Sequence, residues 1–446
     1  MKELGGYRGR ALDLITAAGA SIGDKVELTK NGEAIDGLLM PRASGRDDTH
    51  IVLKLATGYN VGVALGESTQ IHVIGAGTKP SLSKPPRPTS SKSLPRVTIF
   101  STGGTIASRV DYRTGAVEPA LTAEDLYSFV PELASEADIT AKVLCSVFSE
   151  NFTPKHWKEI AESVRDEIQS GVSGVVIAQG TDTLGYCAAA LSFALQSSPV
   201  PIAFVAAQRS SDRPSSDAAS NLIGAVSVAA KAPFAGVLVV MHEWMSDETL
   251  LIHKGTKVRK CHTSRRDAFK SIGTNPIARF HLVTKKLEML EKDYPARGST
   301  RLVCKPDFDD RAALLKFYPA MNAGVIGWHV DNGYRGMILE GTGLGHVSTS
   351  CYPSIARAVE KGIFVGMTSQ CLWGRVDMNV YSTGIDLQKI GVHPLEDMLP
   401  ETALAKLMWV LGQTDDPAKI AEMMRTNLVG EISPRRLEGE DDGKHE

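Results

Sequence analysis

Four short apolar runs constrain the fold of this chain more than any other feature. The runs are residues 97–100, 174–178, 202–206 and 237–241. The segments with helical spacing between them are residues 153–168, 183–196 and 218–231. Short apolar runs predict buried strands, and strands that alternate with helices predict a parallel sheet covered by helices on both faces. Thr153 and Pro154 suit the start of the first helix, as its N-cap and first residue.

A second α/β block and a small β-rich block flank this region. The second block is predicted to contain strands at 314–318, 337–339 and 363–367 and helices at 353–361 and 402–412. The β-rich block is predicted to contain a helix at 8–20 and strands at 26–28, 34–39, 49–53, 60–64 and 70–73. We therefore divide the chain into a β-rich domain (1–75), a Pro/Ser/Lys-rich linker (76–95), two α/β domains (96–298 and 299–430) and a charged tail (431–446).

The bulk composition excludes several classes of protein. The 446 residues carry a net charge of −2, which does not favour nucleic-acid binding through bulk charge. No apolar run is long enough to span a bilayer, and the N-terminus lacks the layout of a signal peptide. Six cysteines without a CxxC pair are typical of reduced thiols in a cytoplasmic protein, and no metal-ligand spacing is present.

Two predicted strands end in glycine and hydroxyl residues. The first motif is Ser-Thr-Gly-Gly-Thr-Ile-Ala-Ser at 101–108, and the second motif is Gln-Gly-Thr-Asp-Thr at 179–183. Ligands of parallel α/β sheets bind beyond the carboxyl ends of the strands. A Gly-Gly turn lets a ligand approach the backbone, and a hydroxyl beyond it is a candidate nucleophile. The hydroxyls could equally bond local backbone, and Thr181 or Asp182 could cap the next helix.

A threonine hydroxyl attacks a substrate only when another group accepts its proton. No histidine lies near either motif in sequence, so a lysine held by an aspartate is the alternative acceptor. The basic candidates in the segment 254–270 are Lys254, Lys257, Arg259, Lys260, Arg265, Arg266 and Lys270. Spacing alone does not choose among them, and each could be a solvated surface charge.

Together the two motifs resemble the paired signatures of the L-asparaginase/glutaminase family, over about residues 97–428. The β-rich extension and Ser-Ser-Asp-Arg-Pro-Ser-Ser-Asp at 210–217 resemble one branch, the D-type subunits of archaeal glutamyl-tRNA(Gln) amidotransferases. The resemblance implies an asparaginase-like body of two parallel-sheet α/β domains, with a small β-barrel-like domain at the N-terminus.

The resemblance also implies roles for individual residues. Thr105 is expected to be the nucleophile that forms an acyl-enzyme, and Thr181 to lie beside the amide carbon. Asp182 is expected to pair with a lysine and with the substrate ammonium. Counting back from Phe-Lys-Ser at 269–271 puts that lysine, the proton acceptor, at Lys260.

Three further residues are expected to bind or cover the substrate. Ser149 and Glu150 match the segment that holds the α-carboxylate and α-amine, although the family commonly carries glutamine where Glu150 stands. Tyr112 matches the tyrosine of a lid over the nucleophile. The resemblance implies no metal at this site.

The implied activity is the release of ammonia from glutamine. A partner, the E-type subunit of the amidotransferase, is expected to use that ammonia with ATP and Mg²⁺ to convert Glu-tRNA(Gln) to Gln-tRNA(Gln). The present chain is expected to need no cofactor of its own. The implied assembly is a homodimer of this chain within a heterotetramer, in the cytoplasm and without membrane contact.

Two other functions compete with this one. A stand-alone L-asparaginase would share the motifs, but the N-terminal extension and the segment 210–217 argue against it. A non-catalytic tRNA-binding scaffold would not need the matching residues Thr105, Thr181, Asp182 and Lys260. The Gly-rich stretch 340–345 lacks the GxGxxG spacing of a dinucleotide loop and predicts a turn after a strand.

Overall fold

The computed structural model describes most of the chain. The described residues are 6–41, 48–56, 60–75, 94–104, 108–110, 117–119, 126–127, 130–209 and 215–434. The predicted linker at 76–95 therefore lies almost entirely outside them. Among the described helices, none is long and apolar enough to cross a membrane.

The N-terminal block is a five-stranded antiparallel sheet with one helix. Its elements are α1 (Gly9–Ala17), β1 (Lys25–Lys30), β2 (Glu33–Leu39), β3 (His50–Lys54), β4 (Asn60–Ala64) and β5 (Gln70–Gly75). The strand order is β4-β3-β2-β1-β5. Asn31 and Gly32 both have positive φ between β1 and β2, the conformation that tight hairpins require. Ala11 and Ile15 of α1 share a hydrophobic core with Val26 of β1, so the helix closes the core of this small domain.

The central block is built on an eight-stranded sheet. The described strands from this block are β6 (Arg96–Ser101), β7 (Ser108–Val110), β8 (Val117–Pro119), β9 (Asp138–Val143), β10 (Gly174–Ala178), β11 (Leu195–Gln196), β12 (Pro201–Val205), β13 (Gly236–His242), β14 (Thr249–Lys254), β15 (Val258–Lys260), β16 (Phe269–Ser271), β17 (Ala278–His281) and β18 (Lys286–Met289). The sheet order is β18-β17-β14-β13-β12-β10-β6-β9. β15 and β16 form a separate hairpin.

The prediction of parallel strands is right for the four predicted strands β6, β10, β12 and β13. It also describes β9, which was not predicted, and does not extend to the other three strands. β9, β6, β10, β12 and β13 run parallel to their neighbours. β14, β17 and β18 run antiparallel. These three strands come from residues 249–289, which the sequence pattern left irregular. The chain returns there through hairpins, which need no crossover helix between strands.

Helices cover both faces of the central sheet, as predicted. They are α2 (Pro154–Gln169), α3 (Leu184–Ala194) and α4 (Ala218–Lys231). α2 and α3 pack on one face, and α4 packs on the other. The start of α2 is confirmed, since the backbone N–H of Thr153 donates to His156 Nδ1 at 3.0 Å. α3 is buried along nearly its whole length because it lies between the sheet and a helix of the next domain.

The C-terminal block is a smaller parallel sheet with helices on both faces. Its strands are β19 (Val303–Cys304), β20 (Ala312–Lys316), β21 (Gly336–Gly341), β22 (Phe364–Ser369) and β23 (His393–Pro394), and its helices are α5 (Gly324–Asp331), α6 (Tyr352–Glu360), α7 (Ser382–Ile390), α8 (Pro400–Gln413) and α9 (Pro417–Arg425). β20 to β23 lie side by side in chain order, whereas β19 pairs with β11. α5, α6 and α7 cover one face, and α8 and α9 cover the other.

The Gly-rich stretch 340–345 forms the end of β21 and the turn after it. Gly343 and Gly345 have positive φ, and Thr342 N–H donates to the carbonyl of His346 at 2.9 Å. The Gly-rich stretch is therefore a tight turn, as predicted.

Near the C-terminus, the fully buried Glu431 accepts a hydrogen bond from Lys406 Nζ at 2.5 Å. This pair holds residues 431–434 against α8.

Candidate active site

The two sequence motifs lie side by side at the carboxyl ends of adjacent parallel strands. β6 carries the first motif, β10 carries the second, and Ser101 pairs with Ala178 in the ladder. One step further, Thr102 donates two hydrogen bonds to the carbonyl of Ala178, from its N–H and from its hydroxyl, each at 3.0 Å. Thr102 is fully buried. Its hydroxyl therefore ties the first motif to the end of β10, just before the second motif, and is not available for chemistry.

The paired glycines of the first motif are required by close backbone contacts. Gly104 has φ of +75°, and a Cβ added there would lie 2.8 Å from the backbone nitrogen of Gly180. Gly103 has φ of +116°, and its added Cβ would lie 2.2 Å from the carbonyl oxygen of Val147. Real Cβ atoms do not approach backbone this closely, and positive φ also favours glycine. The glycines thus bring the first motif into direct contact with the second.

The segment that contains Ser149 packs behind the second motif. A Cβ added at Gly180 would lie 2.9 Å from Cβ of Ser149, and the Thr183 hydroxyl donates to the carbonyl of Ser149 at 2.6 Å. Ser149 is buried and Glu150 is exposed, at the start of a single 3₁₀ turn. Ser149 therefore contacts the second motif, and Glu150 follows it directly in the chain.

Lys260 completes the described part of the site. Its amine donates to Thr181 Oγ1 at 2.8 Å and to Asp182 Oδ1 at 2.6 Å. The lysine side chain is 15% exposed and the aspartate side chain 68% exposed, so the amine is largely buried while the carboxylate is open to solvent. An amine that touches both a hydroxyl and a carboxylate can exchange a proton with the hydroxyl while the carboxylate holds it in place.

Five of the other basic candidates pair with carboxylates elsewhere among the described residues. Lys257 pairs with Asp397, and Arg259 with Glu401. The three remaining pairs are Arg265 with Asp267, Arg266 with Asp247, and Lys270 with Asp267. None of these contacts reaches the second motif. The geometry thus selects one lysine where sequence spacing could not.

The helix after the second motif is not capped by Thr181 or Asp182, which was the alternative that the sequence left open. α3 begins at Leu184, and Thr183 is its N-cap residue. The side chains of Thr181 and Asp182 contact Lys260 and do not cap the helix. The role of Thr183 was missed because its hydroxyl bonds a backbone carbonyl 34 residues away. Thr105 and Tyr112 lie outside the described residues, so their expected roles stay predictions.

The described part of the chain offers no cluster of metal ligands. No group of three or more His, Cys, Asp or Glu side chains that could hold a metal ion occurs within it. The described site consists of a hydroxyl, an amine, a carboxylate and glycine backbone at two adjacent strand ends. That donor set suits acyl transfer by a hydroxyl nucleophile.

Three family models match the chain. The N-terminal asparaginase domain matches residues 96–294, the glutaminase/asparaginase C-terminal domain matches 311–424, and the GatD N-terminal domain matches 20–74. The D-type subunit of the glutamyl-tRNA(Gln) amidotransferase of Metallosphaera sedula is 49% identical over 433 residues, which are 97% of each chain. This chain belongs to the family of glutamyl-tRNA(Gln) amidotransferase D-type subunits. The family resemblance inferred from the two motifs is therefore confirmed.

Other similar proteins agree with this family assignment. The D-type subunit of Pyrococcus furiosus is 50% identical over 95% of this chain and 98% of its own length. Among solved structures, the thermostable L-asparaginase from Thermococcus kodakarensis is 30% identical with a TM-score of 0.67. The match covers 76% of this chain and 100% of that enzyme. The asparaginase-like two-domain fold with a small N-terminal β domain is thus confirmed.

Proposed function

We propose that this chain is the glutaminase component of a tRNA-dependent amidotransferase, which releases ammonia from the side-chain amide of glutamine. The observation that carries the proposal is the contact of Lys260 with Thr181 and Asp182, beside the Gly-Gly turn of the first motif. Membership of the amidotransferase family supports the same activity. A purely structural component would not need this arrangement.

In the proposed mechanism, Thr105 attacks the amide carbon and the C–N bond breaks. The proton lost by the attacking hydroxyl passes through Lys260 and Thr181 to the leaving nitrogen, which departs as ammonia. Water then cleaves the acyl ester and releases glutamate. Asp182 holds the lysine amine and the substrate ammonium. Backbone N–H groups at the two strand ends suit stabilisation of the oxyanion.

Substrate binding is assigned to residues around this edge. Ser149 and Glu150 would hold the α-carboxylate and α-amine of glutamine, and Tyr112 would cover the nucleophile. Hydrolysis by these groups requires no cofactor in this chain. The buried position of Ser149 against Gly180 supports a pocket floor at this point.

We propose that the released ammonia is used by a larger assembly that contains this chain. A partner, the E-type subunit, would take the ammonia and, with ATP and Mg²⁺, convert Glu-tRNA(Gln) to Gln-tRNA(Gln). Two copies of this chain would form a homodimer within a heterotetramer, in the cytoplasm. The relatives are named as one lettered component of an amidotransferase, which supports the existence of a partner.

A stand-alone L-asparaginase is the second candidate, favoured by the 30% identity to the Thermococcus kodakarensis enzyme. The deciding experiment measures ammonia release from glutamine and from asparagine, with and without the partner and glutamylated tRNA. We expect glutamine to be the better substrate and the complex to be the active form. Strong release from asparagine by the isolated chain would overturn the proposal in favour of an asparaginase.

A Thr105→Ala variant separates an active glutaminase from a scaffold. In the complex, we expect glutamine-dependent formation of Gln-tRNA(Gln) to be lost while formation from free ammonium continues. A scaffold would lose neither, so retained glutamine-dependent product would contradict the proposed nucleophile.

A further inference from the structure

The strand that carries Lys260 lies between the two α/β domains. On one side, the carbonyl of Val258 in β15 packs on the first turn of α3, where a Cβ added at Gly185 would lie 3.3 Å from it. Val258 itself is part of the core beneath α2 and α3. On the other side, Lys257 and Arg259 contact residues just before and at the start of α8. Because side chains alternate along a strand, residues 257 and 259 face one way and residues 258 and 260 the other.

The first contact with the C-terminal domain is a buried ion pair. Lys257 Nζ lies 2.7 Å from Asp397 Oδ2 and donates to the backbone carbonyl of Asp397 at 3.1 Å. The lysine side chain is 1% exposed and the aspartate side chain 9% exposed. Burial lowers the pKa of Lys257. The other oxygen of Asp397 accepts the N–H of Ser433 at 2.9 Å, so the aspartate is fixed from two directions.

Two more contacts hold the same strand. Arg259 Nε lies 3.1 Å from Glu401 Oε1 in the first turn of α8. The other oxygen of Glu401 is buried and accepts no hydrogen bond from the residues that the structure describes. Arg259 is thus the main compensation for the charge of Glu401. The buried hydroxyl of Thr402 donates to the carbonyl of Thr256 at 2.8 Å.

We propose that Asp397, Glu401 and Thr402 form a clamp in the C-terminal domain that positions Lys260 for proton transfer at the second motif. The contacts of these three residues with the strand go to Lys257, Arg259 and Thr256 rather than to the second motif itself. They are therefore positioning residues. The clamp makes the placement of the C-terminal domain against β15 a determinant of turnover.

A displacement at the clamp would be transmitted to the catalytic lysine because the two are close in the chain. Arg259 is adjacent to Lys260, whose amine must stay at hydrogen-bond distance from the hydroxyl of Thr181. A displacement of about 1 Å in a catalytic group can lower a rate by about a hundredfold. A loosened clamp should therefore lower kcat. KM should change little, because Asp182 and residues 149–150, which are assigned to substrate binding, lie outside β15.

The test uses Glu401→Gln in the full chain with its partner, since glutamine keeps the shape of the glutamate side chain. The first measurement is hydrogen–deuterium exchange of the β15–β16 hairpin. We expect its amides to exchange roughly tenfold faster, because the substitution removes the partly buried ion pair that joins Arg259 to α8. The matched control is Glu288→Gln, which also removes an arginine partner, Arg279, but lies on β18 at the sheet edge. In the Glu288→Gln variant, the amides of the β15–β16 hairpin should exchange at the wild-type rate.

The second measurement is steady-state ammonia release, which rests on the proposed glutaminase function. We expect Glu401→Gln to lower kcat about tenfold or more, with KM within about twofold. Thr402→Val should act in the same direction with a smaller effect. Adding Arg259→Gln to Glu401→Gln should cause no further loss of activity, because the two substitutions remove the same ion pair.

The two measurements distinguish failure of the clamp from failure of the proposed function. Unchanged exchange in the hairpin, or an unchanged kcat in an active enzyme, would overturn the clamp. A wild-type complex that releases no ammonia from glutamine would overturn the glutaminase, while the exchange data would still decide whether the clamp holds the strand.

Discussion

Lys257 and Lys260 lie three residues apart and each pairs with an aspartate, yet their surroundings differ. The Lys260–Asp182 pair is half open to solvent and also touches a hydroxyl. The Lys257–Asp397 pair is closed off between two domains. An exposed pair contributes little to stability, whereas a buried pair is costly to break because the remaining charge has no partner. The comparison indicates that one lysine is kept for chemistry and the other for architecture.

The largest expected effect is on activity, from Asp182→Asn. The asparagine keeps the side-chain shape but no longer holds the lysine amine by charge. We expect kcat for ammonia release to fall about 10²- to 10⁴-fold, the range for general acid–base catalysis, because the lysine amine is no longer held for proton transfer. Stability should change by less than about 1 kcal/mol because the Asp182 side chain, which the substitution changes, is mostly exposed. Turnover assays and chemical denaturation measure the two quantities. A large loss of stability with normal turnover would reverse the roles given to the two pairs.

The next effect is on stability, from Asp397→Leu. The substitution leaves Lys257 charged and buried without its carboxylate, which should lower the free energy of unfolding by about 3–5 kcal/mol. Urea denaturation measures this loss. The double variant Lys257→Met/Asp397→Leu should recover most of it, because two apolar side chains replace the whole pair. A single variant as stable as the wild type would show that the pair does not carry this part of the fold.

A third prediction concerns the pH dependence of stability and a buried histidine, His253, that contacts the β15–β16 hairpin. Burial, and then the charge of Lys270, lower the pKa of His253 to about 3 from the ordinary 6.5. Its Nδ1 bonds the hydroxyl of Ser271 at 2.8 Å, and its Nε2 is buried without a partner among the described residues. The unfolded chain therefore binds the proton more tightly, so this contribution to stability is complete above pH 6.5 and is lost as the pH falls from 6.5 towards 3.

The expected slope is up to about 1.4 kcal/mol per pH unit within that window. A His253→Gln variant cannot titrate and should show a flatter dependence of the unfolding free energy on pH between about 6.5 and 4. Denaturation at several pH values provides the measurement. Parallel curves for the variant and the wild type would exclude His253 as the source of the slope.

The smallest effect is expected from Thr183→Val, which removes the hydroxyl bonded to the carbonyl of Ser149. The loss of one neutral hydrogen bond costs about 1 kcal/mol. Because Ser149 and Glu150 are predicted to hold the substrate α-groups, we expect KM for glutamine to rise about fivefold with kcat nearly unchanged. Thr183→Ser keeps the hydroxyl and should behave like the wild type. A fall in kcat alone would assign Thr183 to the chemistry instead.

Local sequence patterns predicted much of the fold and half of the site. β10 was predicted at its observed bounds, as was α4, because continuous apolar runs and helical spacing are local signals. The pairing of β6 with β10 followed from their shared topology. The contact of the two motifs was therefore foreseeable. The glycines of the first motif were interpreted correctly as points of close approach.

The remainder depended on contacts that are distant in sequence. β14, β17 and β18 were not foreseen because short antiparallel strands are fixed by their partners rather than by an internal pattern. α5 and α7 were missed because glycines interrupt their helical spacing. Lys260 could be chosen among seven basic residues only by counting from a family motif. The pairing of Lys257 with Asp397 spans 140 residues and leaves no local trace.

The most direct test of the account uses Lys260→Met in the assembled complex, with Gln-tRNA(Gln) formation measured from glutamine and from free ammonium. If Lys260 moves the proton in amide hydrolysis, glutamine-dependent product should fall at least about a hundredfold, and ammonium-dependent product should stay at the wild-type rate. Glutamine-dependent product at the wild-type rate would contradict the central claim that Lys260, Thr181 and Asp182 form the working centre of the glutaminase.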